Sequence, residues 1–188
     1  MNINQFCVFQ DILQVSNFKE CTPKVKAATY NMMVRPTVEY AATVWDPHKE
    51  KDKTLLEAVQ RRAARYVNNN YSEREPGTVT NMLRNLGWNS LEERRKNSRL
   101  SMLYKIENDL IGIEKSNFFK PTDARTRGNN LYHEPIFHPA MFHSFFPRTI
   151  SDWNQLPTAT TSAPTLESFM TRLRGSSPQG VLPPAPLP

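Results

Sequence analysis

Arg35-Pro-Thr-Val-Glu-Tyr-Ala-Ala-Thr-Val-Trp-Asp-Pro47 and, after a short charged spacer, Leu55-Leu-Glu-Ala-Val-Gln-Arg-Arg-Ala-Ala-Arg-Tyr-Val67 decide how this chain reads. In the second half, Leu55, Leu56, Val59, Ala63, Tyr66 and Val67 recur at the three-to-four-residue spacing of one helix face, while Arg61, Arg62 and Arg65 lie off it. This predicts an amphipathic helix over residues 51–67. In the first half Val38, Ala41, Ala42 and Trp45 keep the same spacing, and Asp46-Pro47 breaks it. Pro36 has no N–H to give to a preceding turn, so it ends one helix or starts the next.

Working outward, Thr22-Pro23 is a helix entry, with Thr as cap and Pro pre-set at the first position. Val25, Ala28, Thr29, Met32 and Met33 form the expected inner face of that helix. Asn68-Asn69-Asn70 is a stop. Val79, Met82, Leu83 and Leu86 mark a short helix that Gly87 ends. Ser90 and Glu93 form a capping pair for a helix running to about Asn108, with Leu91, Met102, Leu103, Tyr104 and Ile106 on its apolar side. The expectation is a mainly α fold, with a small bundle over residues 21–110. Beyond Asp109, aromatic residues alternate with Pro121, Pro135, Pro139, Pro147 and Pro157. Proline at that density predicts an extended segment over 111–174 that wraps the bundle, closed by a short helix carrying Leu166, Phe169, Met170 and Leu173. Residues 175–188 are a proline-rich tail expected to be disordered.

The chain has 188 residues, 38% of them apolar, enough for one real core. No run approaches a membrane span, and residues 1–19 lack the charged start of a signal peptide. A soluble intracellular protein of nucleus or cytoplasm is expected, with no membrane partner. Cys7 and Cys21 suggest neither a disulfide framework nor a metal site. Residues 61–127 hold 14 basic and 8 acidic side chains, whereas the segments on either side balance, so the whole +6 lies in the middle third. A basic stripe of this kind is a footprint for polyanions.

No enzyme class has positive support. Two-metal polymerase chemistry needs converging carboxylates, and the chain contains no Asp-Asp; its adjacent Glu92 and Glu93 sit in the first turn of a helix, where capping and dipole explain them. His133, His138 and His143 are spaced by five, which suits neither one helix face nor one strand side, and His48 follows a turn. No metal, cofactor or small-molecule substrate is therefore expected. Six glycines leave little scope for a phosphate loop. What remains is arginine, whose planar fork suits phosphate. Arg61, Arg62 and Arg65, then Arg94, Arg95, Lys96 and Arg99, lie on two helices, with Arg125 and Arg127 in a loop. These are the candidate nucleic-acid contacts, for RNA or DNA held weakly and without sequence preference.

Five ordered motifs carry a resemblance: Arg35-Pro36 with Glu39-Tyr40-Ala41 and Trp45-Asp46-Pro47; Leu56-Glu57 with Val59 to Arg65; Leu86-Gly87-Trp88 with Leu91 to Arg95; Arg125-Thr-Arg127-Gly128; and Ser144-Phe-Phe146-Pro147-Arg-Thr-Ile-Ser-Asp-Trp153-Asn-Gln-Leu-Pro157. Over residues 21–173 the chain resembles the segment following the catalytic palm of jockey-like non-LTR (LINE-type) retrotransposon reverse transcriptases. The resemblance implies a thumb and C-terminal extension that grip template and nascent DNA, with catalysis and target nicking located elsewhere in the parent. Arg35, Pro36, Glu39, Tyr40, Trp45, Trp88, Phe146, Pro147 and Trp153 are its structural residues. Residues 1–20 and the tail depart from it. A remnant of an RNA-directed DNA polymerase without activity is therefore expected, with a domesticated RNA- or DNA-binding module as the alternative. A third reading, docking of the tail in an SH3- or WW-type groove, is weakened by the want of a basic residue near the prolines.

Overall fold

The computed structural model describes residues 20–117, 132 and 143–175. Among them the regular structure is helical and contains no strand, as the mainly α expectation requires. In chain order the helices are α1 (Pro23–Thr29), α2 (Arg35–Glu39), α3 (Ala42–Trp45), α4 (Glu50–Val67), α5 (Thr78–Asn85), α6 (Leu91–Glu107), α7 (Phe145–Asn154), α8 (Thr158–Thr161) and α9 (Leu166–Gly175). Two compact units share the described residues: one takes 20–40 and 47–93, the other 41–46 and those from 94 onward. The division falls inside α6, and six residues belong to the second unit although both their flanks belong to the first.

In the first unit, Thr22 accepts a hydrogen bond from Val25 N–H and Pro23 opens α1, as its chemistry favours. A π-helical turn, Tyr30–Val34, joins α1 to α2, with Arg35 N–H donating to Tyr30 O. Pro36 lies in the first turn of α2, so the helix absorbs it directly after the wider turn instead of stopping. Tyr30, Val34 and Val38 are fully buried, as is Lys26. The strict four-residue spacing of this stripe suits a helix containing a π turn, whose extra residue offsets the drift of an ordinary α-helix. Of the expected inner face only Thr29 is buried. Met32 is 77% and Met33 53% exposed, and Val25 is 43% exposed. The helix predicted through Ala41 also breaks there, at φ 51.

α4 buries Leu56, Gln60, Ala63, Ala64, Tyr66 and Val67; Leu55, expected in that stripe, is exposed. Asn69 in the left-handed region ends the helix. Gly87, at φ +64, closes α5, with Trp88 N–H donating to Leu83 O and Gly87 N–H to Arg84 O. That paired pattern needs a left-handed residue, which glycine supplies without strain. It delivers Trp88 onto Tyr30, ring centroids 4.5 Å apart. Glu93 N–H donates to Ser90 Oγ, so the capping expectation for α6 is met.

In the second unit, Leu100, Leu103, Tyr104 and Ile106 of α6 pack with Ile150 and Trp153 of α7, Ala163, and Phe169 and Leu173 of α9. Phe169 stacks on both Tyr104 and Trp153, and Tyr104 OH donates to Ala163 O at 2.8 Å. The final helix thus has the phase expected of it. The extended segment is overturned over 145–154 and 158–161, which are helical. Pro147 occupies the first turn of α7, where a missing N–H costs nothing because those groups have no intrahelical acceptor. Pro157 caps α8 from outside. The remaining prolines and aromatics of 118–131 and 133–142, and the tail, lie outside the described residues.

Candidate functional site

The charged centre of the second unit is Asp46. The residue before a proline is steered to extended backbone, and Asp46 closes α3 at ψ 113 ahead of Pro47. Its carboxylate is buried. On α6, Arg95 and Arg99 stand one turn apart and share a face. Arg95 Nε donates to Asp46 Oδ1 at 2.8 Å, and the Arg99 guanidinium pairs with Asp46 Oδ2. On α7, Arg148 and Asp152 are likewise four residues apart. Arg148 Nη2 lies 3.1 Å from Asp46 Oδ2, and its Nη1 donates to Asp46 O at 2.9 Å. Arg99 Nη2 also donates to Asp152 Oδ2 at 2.8 Å, and Lys96 Nζ reaches Asp152 Oδ1 at 2.9 Å. Three guanidiniums thus converge on one carboxylate, and a second carboxylate shares Arg99 with Lys96.

Burial holds the Arg99 pKa below its ordinary value, with the Asp152 hydrogen bond opposing that shift. Placed this deep, the cations need their carboxylates: removing one partner of a buried pair leaves a charge that water cannot reach. A neighbouring contact pins α7 from its other end, where Asn154 Nδ2 donates to Tyr132 O at 3.0 Å and Asn154 Oδ1 accepts from Tyr132 N–H. Burial, and then Glu107, push the Tyr132 phenol well above its ordinary pKa, so it remains a hydroxyl.

This arrangement divides the predicted nucleic-acid set. Arg95 is 1% and Arg99 4% exposed, so neither belongs to an exposed basic face. Lys96 is half-exposed but engaged with Asp152, and Arg94 is half-buried. Arg65 donates to Asn70 O at 3.2 Å and Glu73 O at 2.8 Å, tying down the loop after α4. Arg61 and Arg62 are exposed and make no ion pair among the described residues. Arg125 and Arg127 lie outside the described residues.

Of the structural residues, Trp88, Pro147 and Trp153 are buried, Arg35, Glu39, Trp45 and Phe146 are half-buried, and Pro36 and Tyr40 are exposed. Trp45, expected to close the apolar face of a continuous helix, instead ends the one-turn α3. Sequence reasoning gave Asp46 only a helix-breaking role with Pro47, and none to Arg148 or Asp152. The available signal was the pair of four-residue spacings, 95/99 and 148/152, but the second lay in a segment read as extended. Among the described residues no group of three or more His, Cys, Asp or Glu side chains could hold a metal ion; His48 and His143 are exposed, and His133 and His138 lie outside. No described helix is long and apolar enough to cross a membrane. Comparison with protein-family models, with curated proteins and with solved structures returned no match.

Proposed function

We propose that this chain is a non-catalytic, thumb-like part of a jockey-like non-LTR retrotransposon reverse transcriptase, a helical scaffold and not an enzyme. One observation carries the reading. Motifs recognised separately along the sequence contribute to one ion cluster: Asp46 from Trp45-Asp46-Pro47, Arg95 from the Leu91–Arg95 run, and Arg148 and Asp152 from the Ser144–Pro157 run. Motifs matched by chance have no reason to complete one another's charges. The same fact gives these arginines a structural role, since guanidiniums spent on Asp46 are not offered to phosphate. The test is primer extension by the purified protein with template, Mg²⁺ and nucleotides, expected at the level of the blank. Extension that disappears when an acidic residue of this chain is replaced overturns the reading.

A second reading, weak RNA or DNA binding without sequence preference, rests on Arg61 and Arg62, which remain exposed on α4. Its expected affinity is in the non-specific range, roughly 10⁻⁴ to 10⁻⁶ M, and falls steeply with salt as counterions are released. Fluorescence anisotropy with a labelled RNA across a salt series tests it, and a salt-independent or absent signal removes it.

A further inference from the structure

The loop that follows α4 is held from within. Arg65 Nη1 donates to Asn70 O and Glu73 O, Asn70 Nδ2 donates to Glu73 Oε2, and Glu73 N–H returns a bond to Asn70 Oδ1. The same loop closes the helix, since the N–H groups of Asn68, Asn69 and Asn70 donate to the carbonyls of Ala64, Tyr66 and Arg65. Out of it stands Tyr71, 62% exposed. One exposed ring is ordinary on a protein surface. This one is set apart by what surrounds it.

Residues 61–74 hold four arginines against one carboxylate, Glu73, which is engaged with Asn70. Burial, and then Tyr71 and Cys21, raise the pKa of Tyr66, so the Tyr71 phenol lies near it. Tyr66 in turn stands one turn beyond Arg62 on α4, where residues four apart are neighbours. Two separate ties, the hydrogen bonds from Arg65 and the proximity to Tyr66, thus keep Tyr71 at the end of α4 on which Arg61 and Arg62 are exposed. A flat ring beside guanidiniums suits a nucleotide whose base is unpaired, the base stacking while its phosphates meet the cations. In a duplex the base faces already stack on one another, which leaves such a ring nothing to take.

Resting on the nucleic-acid reading of Arg61 and Arg62, we propose that the ligand is single-stranded, with an unpaired base stacked on Tyr71 and the adjoining phosphates on Arg61 and Arg62. Base identity goes unread. Asparagine amides are suited to a base edge, but those of Asn68, Asn69 and Asn70 are committed to Ala64 O, Lys26 Nζ and Glu73 Oε2. A stacking platform accepts any base, because every base has a π face.

Fluorescence anisotropy of the full chain with a short labelled RNA strand, and with the same strand fully paired, tests the placement. Tyr71→Ala is expected to weaken binding of the strand by roughly 5- to 150-fold, the worth of one base stack, and to leave duplex binding and the salt slope unchanged. Tyr71→Phe keeps the ring and is expected to bind as the unaltered chain does. Tyr71→Ala that holds the strand as tightly as the unaltered chain, or that weakens strand and duplex alike, overturns the proposal and leaves the nucleic-acid reading in place. Absence of salt-dependent binding to either form removes that reading, and the proposal with it.

Discussion

The two units handle buried positive charge in different ways. The first buries Lys26 against an amide oxygen, Asn69 Oδ1 at 2.6 Å, and the face of Tyr66 at 4.9 Å. Asn69 lies just past the end of α4, where unsatisfied carbonyls favour a cation, and Lys26 has no carboxylate partner among the described residues. The second unit buries two arginines and half-buries a third around Asp46, with Asp152 alongside. One cation is tolerated by dipoles, whereas three are held by full opposite charge. The difference teaches that a buried ion is dispensable only where nothing else depends on its charge.

Asp46→Ala is the strongest way to test that contrast. It leaves Arg95 and Arg99 buried without their shared anion and is expected to cost about 3–5 kcal/mol. Denaturant unfolding measures it, and hydrogen exchange should lose protection first in α6 and α7. Stability within experimental error of the unaltered chain would mean the cluster is not what holds the second unit. Lys26→Met is the opposing test. Trading a buried ammonium for an apolar side chain of similar shape is expected to stabilise by about 1 kcal/mol, since such exchanges are often neutral or favourable. A loss as large as that of Asp46→Ala would erase the distinction between the units.

Gly87→Ala probes backbone instead of charge. Nothing lies within 4 Å of an added Cβ, so only the left-handed φ is penalised. The expected cost is about 1–2 kcal/mol, read as a lowered Tm. The smallest effect belongs to Arg61→Ala with Arg62→Ala, expected to change stability by less than about 0.5 kcal/mol. If those side chains touch phosphate, the pair should lessen the salt slope of RNA binding by up to about two units. Arg65 is left out of this variant because its hydrogen bonds to Asn70 and Glu73 hold a loop.

What could be read from the sequence was local. The Thr22-Pro23 entry, the Ser90 cap, the Gly87 stop and the phase of α9 each depend on residues within a turn of one another, so their chemistry is visible in the string. Pro147 misled because proline's cost depends on its position in a helix, and a first-turn proline costs little. Met32 and Met33 misled because hydrophobicity does not state which side of a helix finds a partner, and the π turn shifted the buried line onto Lys26. The ion cluster was hidden for a third reason. Arg95 and Arg99 look like a solvated face until Asp46 arrives from 49 positions upstream and Arg148 from beyond α6. Charge patterning along one helix cannot report a partner at that separation.

The contact between Arg148 and Asp46 spans 102 positions, which orders events while the chain is being made. Every described residue of the first unit has been polymerised once Glu93 is added, but Asp46 meets its last guanidinium only after Arg148, and α9 ends at Gly175. At roughly 5–20 residues per second, the ribosome needs about 3–11 s to travel from Glu93 to Arg148. Through that interval Ala41–Asp46 is already synthesised while its complete set of counter-charges is not. A pause in translation between these points would lengthen the exposure of Arg95 and Arg99, making codon choice downstream of α6 a lever on yield.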